Sequence, residues 1–214
     1  MMVNWGMISL VYYGAGLSST TLGGDIFLNF TLVAFMEVLG NIGAAFIINH
    51  WGRKTTLVLG FLLAAIGCFG VGFVPSSEKN IFLFLLLLGK FGGAFAFTSM
   101  YIFTAELFPT PIRNTALGTC SMACRLIAVS APYIALYLPN VTSQQAPFFI
   151  FGAAGLIGTI LSIFLPESLG HPLPDTLEEA AEMNEGGKSF FSCWSSDDLK
   201  YHVNRRRLER TANL

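Results

Sequence analysis

Residues 81–104, "IFLFLLLLGKFGGAFAFTSMYIFT", hold one charged residue, Lys90, among otherwise uncharged positions. A helix needs ~20 mainly apolar residues to cross the hydrocarbon core of a bilayer. This run is long enough to cross with some tilt. The rest of the chain could not cover such a helix with a water-facing surface. Of the 214 residues, 53% are hydrophobic and 12% charged, where a soluble domain carries about 25% charged. Mean hydropathy is +0.61. The chain belongs in a bilayer.

Comparable apolar runs lie on either side, at 26–48, 57–74, 115–138 and 147–165. A sixth, over roughly 3–22, begins almost at Met1 with no polar lead-in and no signal-peptide n-region, so the chain opens as though inside a helix. The expected fold is an all-α integral membrane protein, with a six-helix transmembrane bundle over 1–170 and a polar cytosolic tail over 171–214. Within the tail, Thr176 and Glu179 have the spacing of a capping box for a short polar helix. The net charge of −1 offers no polycationic footprint, which excludes nucleic acid as a partner.

Loop charges set the orientation. "NHWGRKTT" carries Arg53 and Lys54, "AELFPTPIRN" carries Arg113, and the tail includes "RRRLER". The alternate connections, "SSTTLGGD", "PSSEKN" and "PNVTSQQAP", hold one lysine, Lys79. Positive residues stay inside, so the first set and the tail are cytosolic. The sequon at Asn140 then falls on the outer side as a candidate glycosylation site; a second, at Asn29, sits too near the membrane.

Three ionisable residues fall well inside the spans: Glu37, Lys90 and Arg125. Each is expensive in hydrocarbon, and such groups face a bundle interior or a wet cavity. Three at similar depth imply a polar compartment near the midplane. Trp5 and Tyr12 are seven apart on one helical face, and Phe97 is seven beyond Lys90. Aromatic faces beside a carboxylate attract ammonium groups, so Glu37 with these rings suggests a pocket for a small organic cation. Arg125 then receives a substrate's negative end, or it neutralises Glu37 as a structural pair. Aromatic stripes alone more often mean packing. No nucleophile is patterned with His50, His171 or His202, and Cys68, Cys120, Cys124 and Cys193 form no ligand motif. No enzyme activity, cofactor or metal is implied.

"NHWGRKTT" resembles the signature loop of the major facilitator carriers, and "AELFPTPIRN" and "LPESLG" resemble cytosolic motifs of their sugar-porter-like branches. "NWGMISLVYYG", "FMEVLG", "GKFGGAFAFTSMYIFTAELFPT" and "PESLGHPLPDTLEEA" are similar to the organic cation, organic anion and carnitine transporters. The likeness runs from about Asn4 to Ala180, and corresponds to helices seven to twelve of a twelve-helix carrier. It implies transport of organic cations or carnitine-like zwitterions by alternating access, in a multi-pass protein of the plasma membrane. An organic anion carrier and a truncated, non-transporting paralogue are the alternatives. The implied partners are the substrate, the bilayer and a missing N-terminal six-helix half. By the same resemblance Glu37, Trp5, Tyr12 and Phe97 match cavity positions. Arg125 matches a position that is aspartate in strict cation carriers and arginine in anion and carnitine carriers. Lys90, by its depth, joins them as a substrate-binding candidate. Arg53, Glu106, Arg113 and Glu167 match a cytosolic charge network that latches the outward-facing state. Asn49 stands where the signature usually has aspartate, so one latch charge is absent.

The charge asymmetry makes a topological prediction. Protease added to sealed cells leaves the 171–214 tail intact and cuts it only after permeabilisation; cleavage from outside would overturn the assigned orientation.

Overall fold

The structure is a computed structural model that describes residues 1–19, 25–75 and 78–165. The described residues form six helical segments: α1 (Met2–Ser18), α2 (Ile26–Trp51), α3 (Arg53–Phe73), α4 (Lys79–Leu107), α5 (Arg113–Val141) and α6 (Ala146–Ile163). Five meet the length and hydropathy needed to cross a bilayer. The sixth, α1, has 17 residues, the lower limit of the usual ~17–25. Glu167, the tail from 171 and its Thr176–Glu179 capping box lie outside the described residues.

Helix ends follow local chemistry. The Asp25 side chain caps α2 by accepting a 2.9 Å hydrogen bond from the Phe27 amide. α2 and α3 meet at a single residue, Gly52, whose φ of 90° is open to glycine and strained for L side chains. Its carbonyl accepts from the Thr56 amide at 3.2 Å and from Thr56 Oγ1 at 2.6 Å, closing the first turn of α3. Consequently α3 begins at Arg53, inside the connection that hydropathy alone leaves as a loop before 57. The run expected as one helix over 115–138 is interrupted. α5 is regular over Arg113–Ala128, Pro132 supplies no amide to the ladder, and Tyr133–Tyr137 forms a π-turn.

α3 packs against both α4 and α6, and α1 lies against α4, α5 and α6. The α3–α4 seam is built on glycine. A Cβ at Gly60 would come within 2.8 Å of Ala96 Cβ and of its backbone nitrogen, and one at Gly92 within 2.9 Å of the Gly60 carbonyl oxygen. Gly152, Gly155 and Gly158, spaced along one side of α6, face Phe69, Ala65 and Phe61 of α3 in antiparallel order. Apolar burial gives helices little reason to associate in lipid, so close backbone approach and interhelical hydrogen bonds supply the attraction. Buried Asn4 donates to Ser162 Oγ at 3.0 Å, and Ser9 donates to the Cys124 carbonyl at 3.0 Å, tying α1 to α6 and α5. Phe27, Phe35 and Phe46 on α2, with Met122, Leu126 and Val129 on α5, are exposed where acyl chains would meet them. Asn29 is 6% exposed within α2, which removes it as a glycan acceptor, whereas Asn140 is exposed.

Gly92→Val forces α4 off α3 and lowers the stability of the purified chain by about 1–3 kcal/mol, the usual cost of overpacking. Gly118, with nothing within 4 Å of an added Cβ, is the control: Gly118→Ala is neutral or stabilising by about 0.5–1 kcal/mol. Equal melting shifts in the two variants would contradict the seam.

Candidate functional site

The two seven-residue spacings interlock. Phe97 of α4 stacks on Tyr12 of α1, with centroids 4.9 Å apart and planes at 20°. Trp5, one heptad from Tyr12, meets Phe97 edge-on at 6.2 Å and Tyr101 at 4.5 Å. The continuous aromatic wall therefore runs Trp5, Tyr101, Phe97, Tyr12. Trp5 is at its closed end: fully buried, with its indole N–H donating to Thr104 Oγ1 at 3.0 Å. It supports the wall from behind, without facing the cavity.

At the open end the wall meets the charges. Tyr12 donates its phenol O–H to Glu37 Oε1, and Lys90 Nζ lies 3.1 Å from Glu37 Oε2. Both carboxylate oxygens are thus engaged. Lys90 Nζ also stands 3.4 Å from the centroid of the Tyr12 ring and donates to the Tyr12 carbonyl at 3.4 Å. These contacts correct the sequence expectation about Glu37. Its ionic partner is Lys90, and Arg125 pairs with no carboxylate among the described residues. Helix register within each span was countable from sequence; which faces of α2, α4 and α5 confront one another was not. Arg125 is exposed on α5, beside Cys124, whose backbone is tied to α1.

A cavity of about 200 Å³ opens between α1, α2 and α4 on these groups, lined by Tyr12, Tyr13, Gly16, Phe30, Glu37 and Lys90 among others. Its walls are mainly apolar, with the carboxylate, the phenols and the ammonium as its polar groups. Tyr13 packs edge-on against Tyr12 at 5.2 Å. Arg125 does not line the cavity.

A second charged cluster sits at the opposite, "NHWGRKTT" end of the bundle. Arg53 forks onto Glu106, Nε to Oε2 at 2.8 Å and Nη2 to Oε1 at 2.9 Å. Bidentate geometry of this kind is the strong form of the interaction. Arg113 is not joined to that fork. Its Nε donates to the Phe108 carbonyl at 3.3 Å, and its Nη2 is buried without a partner among the described residues.

Residues 1–203 match the family model described as Major Facilitator Superfamily. The chain belongs to that superfamily. It is 40% identical over 188 residues to solute carrier family 22 member 15 of Xenopus tropicalis, covering 84% of this chain and 35% of that protein. It is 35% identical to the organic cation transporter protein of Drosophila melanogaster and 35% to human organic cation/carnitine transporter 2, covering 82% of this chain in both, and 32% and 31% of those proteins. The chain thus spans about a third of the length of these relatives. The fold is that of the xylose transporter XylE from E. coli, with a TM-score of 0.67 at 16% identity over 95% of this chain and 55% of that one. It is a multi-pass membrane protein, and the plasma membrane fits its family.

Sequence reasoning missed Tyr13, Gly16 and Phe30. Tyr13 follows Tyr12 and is rotated about 100° from it on an ideal helix, so a face count anchored on Tyr12 passes it over. It also missed the Thr98 to Asn41 hydrogen bond of 2.8 Å that joins α4 to α2. Neither residue is ionisable, and charge was the signal followed.

The fork is measurable without transport. Side-chain exposures of 17% and 21% keep Arg53 and Glu106 partly screened from solvent. A double-mutant cycle of Arg53→Ala and Glu106→Ala on the purified chain yields a coupling of ~1 kcal/mol, and strictly additive losses would contradict the pairing.

Proposed function

We propose that this chain forms helices seven to twelve of a carrier that moves small organic ions across the membrane by alternating access, with a six-helix N-terminal half as its partner. Carriers of this architecture place substrate between two repeats near the midplane. The relatives are named as transporters, which supports a non-enzymatic role. The bundle over 1–170 is then one half of the transporting unit, and the tail from 171 its cytosolic appendage. The Arg53–Glu106 fork would act as a latch, since opposed charges at helix ends bias a rocking equilibrium. Arg113 and Glu167 are assigned to the same end by resemblance.

The observation that carries the substrate class is the composition of the midplane charges. Glu37 and Lys90 cancel within the cavity, and Arg125, exposed on α5 outside its wall, adds one positive charge to the midplane set. A plain organic cation meets net repulsion there. A zwitterion, with an ammonium for Glu37 and the aromatic wall and a carboxylate for Arg125, meets complementary groups at both ends. Arginine stays charged throughout the cycle and offers a planar fork to a carboxylate. This supports carnitine-like zwitterions ahead of simple cations, with organic anions as the second reading because of the same positive excess.

Uptake normalised to surface expression tests the assignment in the complete carrier. Arg125→Asp shifts preference from L-carnitine towards tetraethylammonium by roughly tenfold or more, about 1.4 kcal/mol or above. Arg125→Lys keeps the charge, loses the fork and retains part of the uptake. An Asp variant at normal surface density with unchanged preference would remove Arg125 from recognition.

A further inference from the structure

The position of Lys90 has a feature that its pairing with Glu37 does not require. Its ammonium lies at once 3.1 Å from a carboxylate oxygen, 3.4 Å from the centroid of the Tyr12 ring and 3.4 Å from a backbone carbonyl oxygen. Those are the three kinds of group that recognise an ammonium ligand: a counter-charge, a ring quadrupole and a carbonyl dipole. Gly16 completes the seat, for a Cβ there would lie 3.6 Å from Lys90 Nζ. The Lys90 side chain is 5% exposed and that of Glu37 is 33% exposed. Lys90 therefore reaches its seat from inside the bundle, while the carboxylate remains open to the cavity that Tyr12, Tyr13, Glu37 and Lys90 line. A cation arriving through the cavity approaches Glu37 from the other side.

From this geometry we infer that Lys90 is a tethered competitor: its own ammonium occupies the ammonium subsite, and a substrate must displace it. The inference rests on the transport reading above and deepens it. Displacement exchanges like for like at Glu37 and the Tyr12 ring, so those contacts are retained. What differs between substrates is the fate of the released Lys90 ammonium. With a plain cation it is left in a low-dielectric cavity facing a second positive charge. With a zwitterion the incoming carboxylate absorbs it together with Arg125. The lysine stem has four carbons and rotatable donors, which allows this movement where a packed guanidinium would resist it. Lys90 is then a specificity-determining residue that penalises simple cations and tolerates zwitterions.

The two substrate types are predicted to respond to substitution in opposite directions. In the complete carrier, Lys90→Gln lowers the KM for tetraethylammonium by roughly fivefold, one ion-pair and cation–π contact's worth of competition removed, and raises that for L-carnitine. Lys90→Arg, which grips Glu37 through a fork, raises the tetraethylammonium KM. Maximal rates per transporter at the surface change less than either KM. A purely structural pair gives a different pattern, in which both substrates lose uptake in parallel and their KM ratio stays fixed. That outcome, or a tetraethylammonium KM that rises in Lys90→Gln, overturns the inference. Should Lys90→Gln not reach the surface, Lys90→Arg decides alone: an unchanged KM ratio refutes the competitor role. If the unsubstituted carrier accumulates neither substrate, the transport reading fails, and the competitor falls with it.

Discussion

A charged group halfway across a bilayer has no water to solvate it, and the bundle around Glu37 and Lys90 is arranged to meet that constraint. Neither residue could be held singly at that depth without a cost of several kcal/mol. Glu37 comes from α2 and Lys90 from α4, so their pairing fixes which faces of those helices confront each other. Tyr12 of α1 joins them by its phenol, its ring and its carbonyl. Three helices are thereby specified by one side-chain cluster, and the aromatic wall beyond it follows from where Tyr12 must stand.

The glycine seams answer a second need. Beyond its first turn, where Arg53 forks onto Glu106, α3 carries no charged side chain, so the rest of its length has no ion pair with which to hold its neighbours. Its attachment to α4 through Gly60 and Gly92, and to α6 through Gly152, Gly155 and Gly158, relies on shape. The polar and the apolar halves of the problem are therefore separated in space. α4 takes part in both, presenting small residues to α3 and Lys90 and Phe97 to α1 and α2. That double duty explains how one helix can combine "GKFGGAFAF" with a transmembrane length.

Much of the architecture was legible in the sequence, because hydrocarbon thickness imposes a length that composition reveals directly. The spans at 26–48, 81–104 and 147–165 appear as helices within a few residues of those limits. The start of α3 was not, since a one-residue corner at Gly52 is set by φ and leaves no hydropathy signal. Seven-residue spacing put Trp5 on the face of Tyr12 and Phe97 on the face of Lys90, yet it did not show that Tyr12 and Phe97 would stack or that Trp5 would be sealed behind them. The midplane charges were visible too, but their partners were not: a sequence reports depth along a helix and is silent on rotation between helices. By sign alone Glu37 stood as the structural alternative to a substrate carboxylate for Arg125, whereas the geometry gives Glu37 to Lys90.

Gly52 has one more implication. With a single residue between α2 and α3, the two helices share a corner that leaves no slack for one to slide along the other. Trp51, the last residue of α2, lies some 21 Å along one continuous helix from Glu37 at 1.5 Å per residue, and Arg53 follows it across the Gly52 corner. Between the Arg53–Glu106 fork and the carboxylate the chain therefore passes through one glycine corner and a single helix. Reciprocity then applies to the two ends of that path: a ligand at Glu37 that loosens the fork by some factor has its own affinity altered by the same factor when the fork is loosened first.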